Sequence, residues 1–214
     1  MMGNPIVGIY LAAGHSTRMG SDKLQLPLGS MKLGNYALAA ALNSQLDYVV
    51  VIRNDAAGDW MDDALYRDPV RRKWSSIYCP EARLGQAHSL RCGVKAALAL
   101  EAAAAMILLA DQPLITDAMI NELLAYFKTQ QRANSSVGFT AASYEGLPRP
   151  PAIFARRMFP QLLELQGDRG ARHLIRKEGT GNCLDFSIPD LFMDVDDAED
   201  YRALLDKVAA RRKS

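Results

Sequence analysis

Short apolar runs alternate along this chain with segments of helical periodicity. The strand-like runs cover residues 6–13, 48–52, 75–78, 106–110 and 137–142, and the helix-like segments lie near 36–44, 87–101 and 117–131. Several of the runs are continuously apolar, which is typical of strands covered on both faces of a sheet. The repeated strand–helix order therefore predicts an α/β fold with three α/β/α layers and a mostly parallel sheet.

The C-terminal part of the chain continues this pattern on a smaller scale. A helix is predicted at 171–177, one more short strand at 192–196 and a final helix at 198–211. Neither an internal repeat nor a low-complexity linker divides the sequence, and 214 residues suit one α/β domain with a substantial core. The prediction is a single domain over residues 1–214.

A glycine-containing loop with two cations follows the first predicted strand. Its small residues and its cations are Leu11, Ala12, Ala13, Gly14, Arg18 and Lys23. Small residues let backbone amides approach a phosphate, and the cations neutralise the charge that the amides cannot. The patterns G-x-x-x-x-G-K-[ST] and G-x-G-x-x-G are absent, so another kind of nucleotide loop is predicted. The alternative is an ordinary strand-to-helix turn with two exposed cations.

A carboxylate ends the later apolar run. Asp111 follows residues 107–110, and Pro113 stops the strand. Because ligands collect at the carboxyl ends of parallel strands, we expect Asp111 at the same rim as Gly14. Mg²⁺ is often held by one or two carboxylates together with substrate phosphates, so Asp111 is a predicted metal ligand. The alternative is a helix cap, for which Thr116 is better placed.

A second carboxylate is expected from the Asp194-Val195-Asp196 segment. Strand residues two apart share a face, so both carboxylates can face the site while Val195 faces the core. Asp196 or Asp197 can instead cap the last helix, whereas Asp194 lies too early to do so. Asp194 is therefore the predicted second metal ligand.

Two further segments are candidates for ligand contacts. Residues 85–89, with Gly85 and Ser89, open a predicted helix whose free amides can hold a base edge, a ribose or a phosphate. Residues 167–172 contain the charged side chains Asp168, Arg169 and Arg172. Arginine pairs bidentately with phosphate, so a second anionic group can bind there. The alternative is a solvated turn before a helix.

Composition argues against several classes of partner and environment. The formal net charge of +1 gives no bulk attraction to nucleic acid or to an acidic membrane. The longest apolar stretch, residues 102–110, is too short to cross a bilayer, and the first residues do not have the pattern of a secretory signal. Cys79, Cys92 and Cys183 are odd in number and lack C-x-x-C spacing, which argues against a disulfide framework or a zinc site. A cytoplasmic protein is expected.

These motifs together resemble the nucleotidyltransferases of the molybdenum cofactor, in particular their cytidylyltransferase branch. The resemblance covers essentially the whole chain: LAAGxSxRMGxxK at 11–23, LPLG at 26–29, Gly85 with Ser89-Leu90, LADQP at 109–113, GDxGAR at 167–172 and DVD at 194–196. Ala-Ala-Gly in the first motif, where the guanylyl branch typically has Ala-Gly-Gly, favours the cytidylyl branch together with Ser89-Leu90 and the GDxGAR motif. One departure is PRPPA at 148–152, where the family often has Gly-His-Pro, and it concerns the pterin side more than CTP.

The resemblance implies a Rossmann-like nucleotidyltransferase fold and a reaction of CTP with molybdopterin-bound molybdenum. The products would be molybdopterin cytosine dinucleotide and pyrophosphate. Mg²⁺ (or Mn²⁺) on Asp111 and Asp194 would bridge nucleotide phosphates, Arg18 would stabilise the departing pyrophosphate, and Lys23 the α-phosphoryl group. Similar proteins serve the maturation of xanthine-dehydrogenase-type molybdoenzymes in purine catabolism, so such an enzyme is the expected client.

The implied contacts divide between the two substrates. The nucleotide would be bound by residues 11–14, Arg18, Lys23, Gly85, Ser89 and Asp111, and the acceptor by Asp168, Arg169 and Arg172. Two alternatives stay open: a nucleotidyltransferase that uses GTP or a sugar or alditol phosphate, and a non-catalytic cofactor carrier or insertion chaperone. Because a carrier does not need the metal, Arg18, Lys23 and Asp111 together argue against the second.

Overall fold

A seven-stranded sheet is the central element of the computed structural model, which describes residues 4–14, 22–54, 60–177 and 180–211. The strands in chain order are β1 (Ile6–Ala12), β2 (Pro27–Leu28), β3 (Met31–Lys32), β4 (Tyr48–Arg53), β5 (Trp74–Tyr78), β6 (Ala104–Leu109), β7 (Phe139–Tyr144), β8 (Leu147–Ala155) and β9 (Asn182–Asp185). The main sheet has the order β5-β4-β1-β6-β8-β7-β9, and β2 pairs with β3 in a separate hairpin. Only β8 runs antiparallel to its neighbours in this described sheet. The predicted mostly parallel sheet is confirmed.

Helices cover both faces of this sheet and complete three layers. In chain order they are α1 (Tyr36–Asn43), α2 (Gln86–Ala99), α3 (Asp117–Ala133), α4 (Phe159–Leu163), α5 (Arg172–Lys177) and α6 (Ala198–Arg211). One apolar cluster lies under α1, α3 and α6, and a second lies under α2, α4 and α5. On β1, Tyr10 packs into the first cluster and Ile9 into the second, so this strand is buried on both faces as its sequence predicts.

Helix boundaries follow local capping chemistry. Thr116 precedes α3, and its side-chain oxygen accepts a hydrogen bond from the amide of Met119 at 3.2 Å. This bond satisfies one of the amides that a helix start leaves free. Asp111 is therefore not needed as a cap for α3. No helix within the described ranges combines the length and apolar character needed to cross a membrane.

The strand order reverses between β1 and β6. From β1 the chain continues to β4 and β5, which lie on one side of β1 within the sheet, and then returns to β6, which lies on the other side of β1. Leu11 pairs with Ile52 on β4 and with Leu109 on β6, so the carboxyl ends of these strands are nearly level. Such a reversal leaves a crevice outside the strand ends, the usual ligand position in an open α/β sheet.

The prediction of a strand at 192–196 is wrong. Pro189–Phe192 form a 3-10 turn, and residues 193–196 form no ladder. The amide of Val195 makes a single backbone hydrogen bond to the carbonyl of Asp111, at 3.0 Å, which anchors the segment without extending the sheet. Val195 is nevertheless fully buried in the core, so the predicted alternation of side chains is retained.

Strands β8 and β9 were not expected from the sequence. Proline removes a ladder donor, so the proline-rich segment before Ala152 argues against a strand. The pairing of β8 with β7 passes from Ala152 directly to Arg149, which leaves Pro150 and Pro151 outside the ladder. This irregularity lets a strand with several prolines lie inside the sheet.

Two of the three cysteines also differ from expectation. Cys79 follows β5, Cys92 lies in α2, and the two form a disulfide with Cα atoms 6.6 Å apart. The prediction that argued against disulfides is therefore wrong for this pair. The 3-10 turn Pro80–Leu84 between them brings α2 back beside the end of β5, and residue spacing alone does not show that proximity. Cys183 is an exposed free thiol.

Candidate active site

A cavity of about 450 Å³ opens at the carboxyl ends of β1 and β6. Its walls are the loop after β1, the segment of residues 82–86 before and at the start of α2, and the end of β6. Every predicted nucleotide-binding residue within the described ranges lines it: Leu11, Ala12, Ala13, Gly14, Lys23, Gly85, Ser89 and Asp111. Arg18 lies outside the described residues. We call this cavity the first cavity.

A second cavity of about 370 Å³ adjoins the first. Both cavities are lined by Leu11, Gln86, Leu109, Asp111 and Asp168. The second cavity adds more charge, from Arg172, Asp194 and Asp196, and its lining includes Pro150 from the proline-rich part of β8. Two ligands can therefore bind side by side and meet at Asp111.

Lys23 is buried at the junction of these cavities. Its Nζ donates hydrogen bonds to Asp111 Oδ2 at 2.9 Å, to the carbonyl of Val195 at 2.8 Å and to Asp196 Oδ1 at 3.2 Å. Burial by itself would lower the pKa of Lys23, but the carboxylates of Asp111 and Asp196 outweigh it and raise that pKa. The alternative of an exposed cation is therefore wrong for Lys23.

Asp111 has one oxygen available for another cation. Oδ2 accepts from Lys23, whereas Oδ1 is buried and has no hydrogen-bond partner among the described residues. A buried carboxylate oxygen without a partner is costly, and a bound cation would satisfy it. The described residues form no group of three or more acidic, histidine or cysteine side chains suited to a metal. Two carboxylates completed by substrate phosphates are a known arrangement for Mg²⁺, so the residues present fit that ion.

Asp194 lies beside this carboxylate, on the second cavity. Burial and the nearby Asp111 raise the pKa of Asp194, and a hydrogen bond from Gln112 opposes that rise. Gln112 Nε2 donates to Asp194 Oδ1 at 2.8 Å. No role for Gln112 is predicted from the sequence, although an amide between Asp111 and Pro113 at the end of an apolar strand is a usable signal.

The neighbouring carboxylates have other contacts. Asp196 accepts from Lys23, and its side chain is half exposed. Asp197 Oδ1 accepts from the amides of Glu199 and Asp200 at 2.9 and 3.0 Å, so Asp197 is the cap of α6. The capping alternative therefore applies to Asp197, and Asp194 is left to face the second cavity.

The predicted acceptor residues separate into two groups. Asp168 and Arg172 line the second cavity. Arg169 instead lines a different depression, together with Glu164 and His173. The structure thus brings two of the three predicted acceptor residues to the site.

A tight backbone contact joins the walls of the two cavities. Gly85 has φ +121°, and a Cβ there would lie 2.5 Å from the carbonyl oxygen of Gly167. The same carbonyl accepts a hydrogen bond from the amide of Ala87 at 3.0 Å. This first-turn amide of α2, expected to be free for a ligand, instead binds the turn that carries Asp168. Only glycine allows so close an approach in this conformation.

Comparison with known proteins places this geometry in a family. A family model described as the MobA-like NTP transferase domain matches residues 8–182. The chain belongs to the MobA-like NTP transferase family. The match includes the loop after β1, Asp111 and residues 167–172, and it ends before Asp194. In this MobA-like NTP transferase the C-terminal carboxylates are thus supplied from beyond the matched region.

Individual relatives agree with this assignment. The chain is 35% identical over 200 residues to the purine catabolism protein PucB of Bacillus subtilis (strain 168), covering 92% of this chain and 94% of PucB. A crystal structure of Rv0371c from Mycobacterium tuberculosis H37Rv in complex with manganese matches with TM-score 0.71 and 23% identity, over 94% and 98% of the two chains. A nucleotidyl transferase from Methanothermobacter (Mth528) matches with TM-score 0.78 and 18% identity, over 98% and 100%. The structural matches show that the fold of this MobA-like NTP transferase is that of nucleotidyltransferases.

Proposed function

We propose that this protein transfers CMP from CTP to the terminal phosphate of molybdenum-bound molybdopterin, giving molybdopterin cytosine dinucleotide and pyrophosphate. The observation that carries the proposal is the position of Asp111 on both cavities. A nucleotide in the first cavity and an acceptor in the second would then meet at one partly buried carboxylate. The resemblance of the sequence motifs to the cytidylyltransferase branch supports the choice of CTP and of this acceptor.

The proposed reaction is an in-line displacement at phosphorus. A terminal phosphate oxygen of the acceptor forms the new bond to the α-phosphorus of CTP. The bond from that phosphorus to the α–β bridging oxygen breaks, and its electron pair leaves with pyrophosphate. The attacking oxygen is already anionic, so the site has to align the two substrates and neutralise charge instead of supplying a base.

The residues of the carboxylate cluster have distinct proposed roles. Asp111 and Asp194 would hold Mg²⁺, or Mn²⁺, which when bound supplies positive charge for the triphosphate. Lys23 holds Asp111 and Asp196 in place and lines the first cavity, where we propose that its positive charge also helps to neutralise the α-phosphoryl group. Arg18 would stabilise the departing pyrophosphate. The manganese complex of Rv0371c supports a divalent cation in this fold.

The acceptor side would use Asp168 and Arg172, which line the second cavity. Arginine suits a phosphate because its planar guanidinium pairs with two oxygens. A single domain over residues 1–214 would bring both substrates together in the cytoplasm, without nucleic acid or membrane as a partner. The similarity to PucB, a purine catabolism protein, supports a xanthine-dehydrogenase-type molybdoenzyme as the client that receives the product.

A substrate panel tests this proposal. Purified protein is incubated with CTP, GTP, ATP or UTP, with Mg²⁺ or Mn²⁺, and with molybdenum-bound molybdopterin, a sugar phosphate or an alditol phosphate. Pyrophosphate release and the product mass are measured. We expect pyrophosphate release only when CTP is combined with molybdenum-bound molybdopterin. Release with GTP or with another acceptor would contradict the substrate assignment, and tight binding without turnover would favour a carrier.

A further inference from the structure

Gln112 is a buried amide next to the proposed metal site. Only 2% of its surface is exposed, although it directly follows Asp111 and lines the second cavity. Its backbone amide contacts the carbonyl of Leu109 at 3.4 Å, and its carbonyl contacts the amide of Ile115, also at 3.4 Å. This turn places the Gln112 side chain at the end of β6, facing the irregular segment that carries Asp194.

The side chain of Gln112 makes one directed contact. Nε2 donates to Asp194 Oδ1 at 2.8 Å, across 82 residues of sequence. The other end of the amide, Oε1, is buried without a hydrogen-bond partner among the described residues. With Asp194 ionised, as a metal ligand has to be, the opposite orientation of the amide would place an oxygen against the carboxylate, so the donor faces Asp194.

Asp194 has little other support from regular structure. Residues 193–196 belong to no helix or ladder, and a few separate hydrogen bonds hold their backbone. The amide of Val195 donates to the carbonyl of Asp111, the carbonyl of Val195 accepts from Lys23 Nζ, and the amide of Asp196 donates to Asp200 Oδ2. None of these backbone contacts involves the Asp194 side chain, whose hydrogen bond among the described residues comes from Gln112. The amide of Gln112 supplies the directional contact that the backbone does not.

We propose that Gln112 is a positioning residue for the divalent cation: it holds one carboxylate oxygen of Asp194 and leaves the other for the cation shared with Asp111. The inference rests on the proposed metal site and adds to it a residue that acts through Asp194. Residues that orient metal-binding side chains typically change metal affinity 10- to 100-fold when they are replaced. Burying an amide whose Oε1 has no hydrogen-bond partner costs free energy. A requirement to orient the Asp194 carboxylate would explain why the site keeps this amide.

The test measures Mn²⁺ binding to the whole protein without nucleotide, from the electron paramagnetic resonance signal of free Mn²⁺. We expect Gln112→Met, which keeps the length but removes the donor, to weaken Mn²⁺ binding about 10- to 100-fold. Gln112→Asn, which stays polar but is too short to reach, should weaken it as well and serves if the Met variant does not fold. An affinity within about twofold of wild type in the folded variants would overturn the proposal.

A double-mutant cycle separates positioning from a general structural effect. If Gln112 acts through Asp194, Gln112→Met should have almost no further effect in an Asp194→Asn background. The full loss in that background would overturn the proposal. Thr140→Val is the matched control, because Thr140 is fully buried and its hydroxyl donates to Asn182 at 2.7 Å in the same sheet. It should leave Mn²⁺ affinity unchanged.

The same measurement distinguishes this inference from the proposed function. If wild type binds no Mn²⁺ either alone or, against a protein-free CTP blank, with CTP added, or if Asp111→Asn binds it as well as wild type does, the proposed metal site itself fails, and the role of Gln112 fails with it. If loss of either carboxylate, in Asp111→Asn or Asp194→Asn, weakens binding but loss of the Gln112 amide does not, the metal site stands and only the inference about Gln112 is overturned.

Discussion

The two cavities of the site are built in different ways. The first is made largely of small residues and backbone at the ends of two central parallel strands, including residues 11–14 and Leu109. The second adds charged side chains, Arg172 at the start of α5 and Asp194 and Asp196 from a segment without regular structure. Strand ends in the middle of a sheet are held by ladders on both sides, whereas such segments depend on a few specific contacts.

This difference indicates how the proposed substrates would be recognised. A cavity lined by small residues suits the backbone contacts that bind a triphosphate, and a cavity lined by charges suits selection of one acceptor through its own charges. Changes at the shared residues should therefore affect both substrates. Changes confined to the second cavity should affect the acceptor alone.

Asp111→Asn should produce the largest effect, because Asp111 belongs to both cavities. We expect the transfer rate to fall about 1,000-fold, equivalent to about 4 kcal/mol of transition-state stabilisation. Pyrophosphate release measures the rate, and circular dichroism checks the fold. Asp190→Asn is the control, because Asp190 forms a similar ion pair with Lys207, at 2.7 Å, outside both cavities. Equal losses in the two variants would contradict the assignment of Asp111.

Lys23→Met should have the next largest effect, on both rate and stability. We expect about 100-fold slower transfer, since Lys23 holds Asp111 and lines the cavity proposed for the nucleotide. Asp111 and Asp196 would lose the charged hydrogen-bond donor that holds them, so the free energy of unfolding should fall by about 2 kcal/mol, measured by urea unfolding. Unchanged stability would indicate that the contacts of Lys23 contribute nothing to the fold.

The pH dependence of that stability difference follows from the pKa of Lys23. This pKa is raised above its ordinary value of 10.5, so the stabilisation is fully present at lower pH and is lost as pH rises through the folded-state pKa. The difference between wild type and Lys23→Met should therefore stay constant from about pH 7 to pH 9 and shrink above about pH 10.5. A difference that already disappears between pH 7 and pH 9 would contradict the raised pKa.

Gly85→Ala tests the backbone contact between the two walls. An added Cβ would meet the carbonyl of Gly167, so the turn bearing Asp168 must move away. We expect kcat/KM to fall about 10- to 100-fold for both substrates, because small displacements of a reacting group are costly. Gly146→Ala is the matched control: it also has a positive φ, +72°, but an added Cβ meets nothing within 4 Å. It should share the backbone strain and retain activity.

Arg172→Gln should have the smallest effect, confined to the acceptor. Loss of one charged hydrogen-bonding group should raise the acceptor KM about tenfold and leave the CTP KM unchanged. Steady-state kinetics with each substrate varied in turn measures both constants. Arg169→Gln provides the comparison, since Arg169 lies in a different depression and its replacement should change neither constant. A larger rise in the acceptor KM from Arg169→Gln than from Arg172→Gln would contradict the assignment of Arg172 to the acceptor.

Parts of the fold were predictable because their signal is local. The strands β1, β4, β5, β6 and β7 and the longer helices follow from apolar runs and helical periodicity. The prediction of a strand at 192–196 failed because side chains can alternate between core and surface in a segment that pairs with no other strand. The disulfide between Cys79 and Cys92 was missed because it depends on how α2 turns back beside β5.

By itself, the sequence determined where the site lies. Small residues end the first strand and Asp111 follows the strand β6, and parallel strands in one sheet carry their carboxyl ends to one rim. Only the tertiary structure decided how the charges there are arranged. It placed Lys23 between Asp111 and Asp196, joined Gln112 to Asp194, and separated Arg169 from Arg172. Contacts between segments 82 to 173 residues apart depend on the packing of side chains and turns, which no local pattern in the chain encodes.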